Sequence, residues 1–411
     1  MKLKVNRNYM NIILEYIFVI IVICENYSMV TRDISLGISG AMLIVIFCFA
    51  SIGMIFVCKE GVYIKFSPKR LFDYLLLIAM SVLVVITPGA NSRRAFIYWL
   101  VPTVCCGLCF LLKNEKEKML MRYVNVVVLL AIASLFFYIL GSMLHIIPPS
   151  RGAVYLYSEK YKMCNTYYGL LYEAQKIQGN TFFSSVYRNC GIFIEAPMYN
   201  LVLCLALAVE LTFSIKPRKY IILILCTTIL STFSTTGIIF LIGMLGVYIY
   251  SMENSKIWKV LKLLIVPGAI WGIGYLIYEV IEMKIQSASG GHSYSVRLDH
   301  LIASIEMWLD KPLLGHGYGN NESFYKYTYY DGGYSVGLPI LLGRTGILIF
   351  SIYIIPWIKN VLYSIVHKKR NLYFWIGSFI LFFFTASVYK TIFIFILCIQ
   401  LMWEDKESNP L

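Results

Sequence analysis

Apolar runs of about twenty residues recur along the chain, and short polar stretches separate them. As a helix, a run of this length crosses about 30 Å of hydrocarbon. Backbone groups in lipid must be hydrogen-bonded internally, so long apolar runs indicate helices and not barrel strands. The pattern predicts about twelve membrane spans, near 10–24, 34–57, 71–87, 95–112, 121–147, 190–213, 219–232, 235–251, 258–280, 338–358, 372–387 and 389–403.

The most basic connections fall at alternate positions between these predicted spans. Their sequences are "CKEGVYIKFSPKR", "KNEKEKMLMR", "SIKPRK", "SKIWKVLK" and "HKKR". Basic residues favour the cytoplasmic ends of spans, so these connections and the basic N-terminus predict the cytoplasmic side. The N-terminal apolar run continues into "ENYS" without a small-residue cleavage site. It is therefore interpreted as an uncleaved first span and not as a signal peptide.

The segment 219–251 allows two interpretations, one long helix or two short helices that meet at "STFSTTG". One helix would place "SKIWKVLK" outside, against the charge rule, whereas two helices keep every strongly basic connection inside. We favour two helices, with the Ser/Thr-rich hairpin Ser231–Thr236 near the outer surface. The pair within 372–403 is similarly ambiguous, and the count of twelve spans depends on both.

This topology places two long polar segments, 148–189 and 281–337, on the same external face. Loops this long are uncommon in folded proteins unless they are functional or disordered, and both are rich in aromatic residues, which disfavours disorder. Within the second, "LIASIEMWL" has apolar residues at helical spacing and predicts an amphipathic helix at the membrane surface. The predicted organisation begins with an N-terminal helical region (1–147), an external loop (148–189) and a central helical region (190–280). A large external loop (281–337) and a C-terminal helical region with a cytoplasmic tail (338–411) follow.

Composition agrees with a membrane protein, because 59% of residues are hydrophobic and 14% are charged, against about a quarter charged in soluble domains. The net charge of +14 does not indicate nucleic-acid binding, since the basic residues lie in short connections and not on one soluble face. The 11 cysteines include no CxxC pair, and most fall within apolar runs, which is typical of small buried side chains.

Charged residues at the edge of a span suggest a functional site facing the bundle interior, because burying a charge in lipid is costly. Arg188 stands where the first loop enters a predicted span. Glu195 follows seven residues later, which predicts two helical turns on the same face. Asn200 lies within the same predicted span. The alternative is an interfacial arginine that reaches the headgroups and pairs with the glutamate.

Arg297 is a second arginine near the outer surface, and His300 shares its face at helical spacing whereas Asp299 does not. A guanidinium is a rigid fork of donors that stays charged, so two of them at headgroup level suit a diphosphate. They would also stabilise a departing pyrophosphate without a metal. No acidic cluster of the kind that holds magnesium is present in the sequence, so the predicted site needs neither a metal nor another cofactor.

Both external loops are rich in tyrosine. An aromatic belt at the membrane interface is one interpretation. The other is a sugar-binding surface, since tyrosine offers an apolar face and a hydroxyl; its candidates in the second loop are Tyr318, Asn320, Tyr330 and Tyr334. Arg344, in "LPILLGRTGILIF", should face the bundle interior, either as a third anion contact or as a structural partner of Glu195.

Three segments together resemble the bacterial O-antigen polymerase and ligase superfamily, including the repeat-unit polymerases of O-antigen and capsule. "YRNCGIFIEAPMYNLVL" is similar to the entry of a central span in that family, and "ILSTFSTTGIIFLIGML" to its Ser/Thr-rich hairpin. "SVRLDHLIASIEMWLDKPLLGHGYGN", followed by "LLGRTGILIF", resembles the large external loop and the next span. The resemblance covers about 185–350 by motif and the whole chain by topology.

The resemblance implies an all-α, polytopic membrane glycosyltransferase with a GT-C-like fold and an external active face. The two arginines that hold the lipid diphosphate in the family correspond to Arg188 and Arg297. Ligase-type members carry a His-Asn pair near the position of Ser335, and this departure disfavours a ligase. It also leaves the general base open, with four candidates: Glu195, Asp299, His300 and Asp331.

The expected function is polymerisation of polyprenyl-diphosphate-linked oligosaccharide repeat units at the outer face of a bacterial plasma membrane. Donor and acceptor are both lipid-linked, and the resemblance further implies membrane lipid, a chain-length regulator and a flippase as partners. The second hypothesis is a ligase that moves finished glycan to another acceptor. A lipid-linked glycan transporter is the third, but transporters commonly show internal repeats and midplane polar residues, and no repeat is evident.

Overall fold

The computed structural model describes residues 7–58, 68–112, 116–157, 160–176, 186–251, 288–330, 335–385 and 390–403. It is mostly helical. The helices up to the central region are α1 (Arg7–Cys24), α2 (Gly40–Cys58), α3 (Pro68–Ile86), α4 (Ser92–Leu112), α5 (Lys116–Met143), α6 (Ala196–Phe213), α7 (Lys219–Ser231) and α8 (Thr235–Ser251). Those that follow are α9 (Ala288–Asp310), α10 (Asn321–Tyr325), α11 (Leu338–Val366), α12 (Asn371–Phe384) and α13 (Thr391–Leu401).

The predicted spans agree with these helices. Each of them overlaps a helix except 258–280, which lies outside the described residues. Helices α7 and α8 are separate and meet at a tight turn, so the two-helix interpretation of 219–251 is confirmed. The pair within 372–403 likewise forms two helices, α12 and α13.

The chain is a multi-pass membrane protein. Five helices in the described part of the chain are long and apolar enough to cross a membrane, namely α2, α4, α5, α6 and α11. Others are apolar but shorter; α13, with 11 residues, extends only about 16 Å. The count of twelve spans therefore stays a prediction.

Helices α6 and α13 form the centre of the bundle. In α6, 89% of the residues are buried, and every residue of α13 is buried. Close packing in α6 depends on Gly237 of α8, where an added Cβ would lie 2.0 Å from Asn200 Oδ1. Asn200 is thus enclosed by its neighbours, and this rigid centre supports the polar segments at one end of the bundle.

The first polar segment contains a small antiparallel sheet that the all-α prediction did not include. Its strands are β1 (Arg151–Tyr157), β2 (Lys160–Tyr167) and β3 (Leu171–Tyr172), in the order β1-β2-β3. The sheet is fixed to the connection after α1, because Arg151 forms a 2.5 Å ion pair with the buried Asp33. Tyr172 also hydrogen-bonds to Asp33, at 3.3 Å. Two polar side chains on different strands thus share one carboxylate.

The second polar segment is held against a break in α11. Gly346 interrupts that helix with a φ of 65°, a left-handed conformation that glycine adopts without strain. The Ile347 N–H donates to Pro312 O at 2.8 Å, and the Gly317 N–H donates to Arg344 O at 2.9 Å. The "PLLGHGYGN" turn therefore packs directly against the broken helix, which fixes where α9 and α10 lie.

Candidate functional site

Arg188 lies against the end of α7. Its Nε donates to Thr232 O at 2.8 Å and its Nη2 donates to Phe233 O at 3.2 Å. The neighbouring Asn189 N–H donates to Ser231 O at 3.1 Å. The last carbonyls of a helix have no partner within the helix and carry partial negative charge. Arg188 therefore donates hydrogen bonds to two carbonyls of the α7–α8 hairpin and also supplies a positive charge.

The predicted helical spacing of Arg188 and Glu195 is wrong. Helix α6 begins at Ala196, and Glu195 is the residue before it, with extended backbone (φ −144°, ψ 144°). Pro197 occupies the start of that helix, a position that tolerates proline because its missing N–H would have no helical partner. Residues 188–195 form an irregular turn, so any proximity between the two side chains comes from that turn and not from a helix face.

Glu195 is half-buried and bonded to the sheet. Its Oε1 accepts a hydrogen bond from the Tyr157 hydroxyl at the end of β1. Burial raises the pKa of Tyr157, and the negative charge of Glu195 raises it further, so the phenol stays protonated and donates. Lys162 Nζ lies over the ring of the same tyrosine, 3.9 Å from its centroid.

Arg297 in α9 completes an electrostatic cluster with Arg188 and Glu195. Burial lowers the pKa of Arg297, and Glu195 opposes this shift. Burial likewise lowers the pKa of Arg188, with Glu195 raising it and Arg297 lowering it. Among the described residues neither guanidinium forms an ion pair within 4.0 Å. The Glu195 carboxylate thus acts on both arginines without forming an ion pair with either.

Asp299 and His300 shape their own loop. The Asp299 carboxylate accepts from the backbone N–H groups of Tyr329 and Tyr330, at 3.0 and 3.2 Å. The buried His300 accepts the Ser335 N–H at Nδ1 (3.2 Å), and its Nδ1 lies 2.8 Å from Ser335 Oγ. Burial lowers the pKa of His300. Both side chains therefore join α9 to the end of the second polar segment, and a role of either as general base stays a prediction.

Arg344, Tyr318 and Asn320 belong to the packing around the glycine-rich turn. Arg344 is buried, and its Nη2 donates to Asn321 Oδ1 at 3.2 Å. Tyr318 is buried with its ring 5.6 Å from that of Trp99, and Asn320 Oδ1 accepts the Ser323 N–H as the cap of α10. Their predicted anion- and glycan-binding roles stay predictions, since each side chain has a structural contact.

The remaining predicted residues lie at the end of the second polar segment. Tyr330 is half-buried, and its carbonyl is 3.5 Å from His300 Nε2. Asp331 and Tyr334 lie outside the described residues. Within the described ranges no group of three or more His, Cys, Asp or Glu is arranged to hold a metal ion.

Glu195 thus acts electrostatically on Arg188 and on Arg297, although the two arginines come from segments about a hundred residues apart in the chain. The structure adds Tyr157, which the sequence placed among many external tyrosines without a specific role. No local signal singles Tyr157 out, because its partner lies 38 residues away. The strand that carries it was detectable from the aromatic and β-branched residues of "RGAVYLY".

Comparison with known families finds a match, and the matched segment contains Arg297. Residues 220–341 match the family model described as O-antigen ligase. This stretch includes the α7–α8 hairpin, Arg297 and the glycine-rich turn, but not Arg188 or Glu195. The match supports the O-antigen polymerase and ligase superfamily, and with it a membrane glycosyltransferase-like enzyme that uses lipid-linked glycans. No curated protein and no solved structure matches the chain.

Proposed function

We propose that this member of the O-antigen polymerase and ligase superfamily joins polyprenyl-diphosphate-linked oligosaccharide repeat units into a surface polysaccharide. The reaction takes place at the external face of a bacterial plasma membrane and needs no metal. One observation carries the proposal: Arg188 and Arg297 lie half-buried and within electrostatic range of each other and of Glu195. The family match over 220–341 supports it independently, because it contains Arg297.

Two guanidiniums and one carboxylate give the cluster a formal charge of +1, which favours an anion. A diphosphate that links lipid to sugar has two negative charges and gains a third when the sugar leaves. Arginine grips phosphate oxygens with two parallel N–H donors, and partial burial strengthens the attraction relative to water. Arg297 therefore binds the donor diphosphate with its whole fork, and Arg188 binds it with the N–H groups that its bonds to Thr232 and Phe233 leave. Both stabilise the diphosphate most strongly as it departs.

Glu195 is the general base in this proposal. Its charge acts on both arginines, whereas Asp299 and His300 hold the loop that follows α9. The carboxylate takes the proton from a hydroxyl of the second repeat unit, and the hydroxyl oxygen then bonds to the anomeric carbon of the donor. The bond between that carbon and the diphosphate oxygen breaks, and the lipid diphosphate leaves with the electron pair.

The two faces of α9 fit a position at the membrane interface. One face is buried against the protein through His300, Ala303, Ser304 and Met307. The opposite face exposes large apolar side chains at helical spacing, namely Leu298, Ile302, Ile305 and Leu309. A helix with this division lies in the interface, with its apolar face toward lipid. Such a position sets Arg297 at the depth of the diphosphate of a membrane-bound donor.

Ligation of finished glycan to a different acceptor is the second candidate function. The matching family model is described as O-antigen ligase. In addition, the His300 ring lies 2.8 Å from Ser335 Oγ, and ligase-type members have a histidine near the position of Ser335. The imidazole of His300 thus reaches this region from α9, although His300 stands at a different position in the sequence from the histidine of the ligase-type members. The acceptor that the purified protein uses distinguishes polymerase from ligase.

The test is an assay of purified protein in nanodiscs with polyprenyl-diphosphate-linked repeat units, with products separated on a gel. We expect a ladder spaced by one repeat unit, absent for Arg297→Ala and partly retained for Arg297→Lys. Arg93→Ala is the matched control, because Arg93 is an exposed arginine at the start of α4.

The other outcomes decide against a polymerase. Transfer of glycan to an added acceptor without a ladder would establish a ligase. Movement of the lipid-linked unit across the bilayer without any new glycosidic bond would establish a transporter. A full ladder from Arg297→Ala would overturn the diphosphate site.

A further inference from the structure

We propose that Tyr157 is the positioning residue that orients the Glu195 carboxylate beside Arg188 and Arg297, so that the β1–β2 hairpin is part of the active site. The inference rests on the proposed function, because it assigns Glu195 as the base. Tyr157 itself contacts neither the diphosphate nor the reacting atoms. It acts through Glu195, by a hydrogen bond from its hydroxyl to Oε1.

The position of Glu195 makes this hydrogen bond informative. The side chain of the residue just before a helix often caps its first N–H groups, most often as Ser, Thr, Asp or Asn. Glu195 stands in that position and makes no such bond to α6. Instead Gln175 Oε1 accepts the Ala196 N–H at 3.2 Å. The glutamine thus caps the helix, and the Glu195 side chain is not used for that purpose. The Glu195 carboxylate turns away from the helix and toward the sheet.

Tyr157 is well placed to hold this carboxylate still. It is the last residue of β1 and pairs with Lys160 at the closed end of the hairpin. The other end of β1 is fixed by the ion pair between Arg151 and Asp33, and Lys162 Nζ covers the phenol ring. A donor on a fixed strand orders one carboxylate oxygen, which is how supporting groups define catalytic geometry.

The hydrogen bond leaves the second carboxylate oxygen for chemistry. In the described part of the chain no donor is bonded to Glu195 Oε2. Oε2 is therefore the oxygen that receives the proton of the acceptor hydroxyl. In the part of the chain that the structure describes, the other titratable groups that act on this site are Arg188, Arg297, Tyr155, Cys190 and Lys162.

Removing the Tyr157 hydroxyl should change how Glu195 titrates. A hydrogen bond to a carboxylate stabilises its charged form, so its loss raises the pKa of the acid. A base works only when deprotonated, so the rate in Tyr157→Phe should begin to fall at a higher pH as the solution is acidified. We expect the acid side of the pH–rate profile of Tyr157→Phe to move to higher pH by about one unit for one neutral donor. On that side of the profile kcat should fall by up to about tenfold, with KM changed little.

Tyr172→Phe is the matched control. It also removes one phenol hydroxyl from the sheet, but that hydroxyl bonds to Asp33 and not to Glu195. We expect a lower unfolding temperature for Tyr172→Phe with an unchanged pH profile. For Tyr157→Phe we expect a displaced pH profile with a nearly unchanged unfolding temperature, because the ring of the phenylalanine still packs under Lys162. If both variants change the pH profile equally, the effect reflects sheet stability and the inference is overturned.

A second measurement separates this inference from the proposed function. Infrared difference spectra of the substrate-free protein follow carboxyl titration, with Glu195→Gln as the blank that identifies the Glu195 band. A higher titration midpoint in Tyr157→Phe supports the coupling without any turnover, and an unchanged midpoint overturns it. If the midpoint shifts but the wild-type protein transfers no glycan, the proposed function fails, and the role of base fails with it, while the coupling stands.

Discussion

The two polar segments use their charged residues in opposite ways. At the end of the first and in the turn that follows it, Arg188 and Glu195 bond to parts of the chain outside that turn: the end of α7 and the end of β1. In the second, Asp299 and His300 bond to backbone groups of the loop that follows α9. Arg297 differs from its neighbours Asp299 and His300, because among the described residues it has no hydrogen bond or ion pair of its own.

This contrast shows which charges are committed to the fold. A carboxylate that accepts two backbone N–H groups, as Asp299 does, stabilises a loop and is poorly available to a substrate. A half-buried guanidinium without a protein partner carries a desolvation cost that a bound anion would offset. The same short stretch, Arg297 to His300, therefore contains one candidate ligand group and two groups that build its support.

The largest expected effect comes from comparing Arg297→Ala with Arg188→Ala. Both should reduce glycan transfer by on the order of a hundredfold, because each removes a guanidinium from the departing diphosphate. Only Arg188→Ala should also lower stability, by about 2 kcal/mol, since it leaves two carbonyls at the end of α7 without their charged donor. Transfer in nanodiscs and unfolding temperature in detergent measure the two effects separately.

Lysine variants sharpen this comparison. Arg188→Lys and Arg297→Lys keep the charge but lose the two-pronged geometry, so each should restore only part of the activity. Equal loss of stability in both alanine variants would contradict the division between a committed and an uncommitted arginine. Normal transfer in Arg297→Ala would remove the diphosphate site altogether.

A smaller effect is expected from Asp299→Asn. The amide keeps one acceptor oxygen but replaces the other with a donor that faces the Tyr329 and Tyr330 N–H groups. Loss of one bond to a charged acceptor should cost about 1–2 kcal/mol and reduce transfer only through the loop. Limited proteolysis of the second polar segment, alongside transfer assays, provides the measurement. If Asp299→Asn abolished transfer with the loop intact, Asp299 and not Glu195 would be the stronger candidate base.

The helical part of the fold was predictable because its signal is local. Apolar runs and basic connections located the helices, and the Ser/Thr-rich turn correctly divided α7 from α8. The start of α6 was also readable, since the proline of "EAPMYN" is typical of a first helical turn. Treating Glu195 as part of that helix ignored this signal, and the predicted face shared with Arg188 was wrong for that reason.

The site was only partly predictable because its contacts join distant segments. Residue type and position at a loop edge singled out Arg188, Glu195 and Arg297. The bonds that decide the roles of their neighbours are not local: Asp299 reaches Tyr329, and Glu195 meets Tyr157 across 38 residues. A sequence shows which side chains are chemically capable, whereas the three-dimensional contacts show which of them the fold already uses.

The smallest expected effect is a pH dependence of stability from His300. Burial lowers its pKa from the ordinary value of 6.5, so below that value the unfolded chain binds a proton that the folded protein excludes. Stability is therefore full above pH 6.5 and falls as the pH drops below it, by at most about 1.4 kcal/mol per pH unit. His300→Gln, which keeps an acceptor for the Ser335 N–H, should make the unfolding temperature less dependent on pH between pH 7 and pH 5.

Burial also lowers the pKa of His316, but that residue is unchanged in the variant, so only the difference between the two proteins reports on His300. An identical pH dependence in both would mean that His300 takes up a proton as readily in the folded protein as in the unfolded chain, and it would strengthen His300 as a candidate for proton transfer.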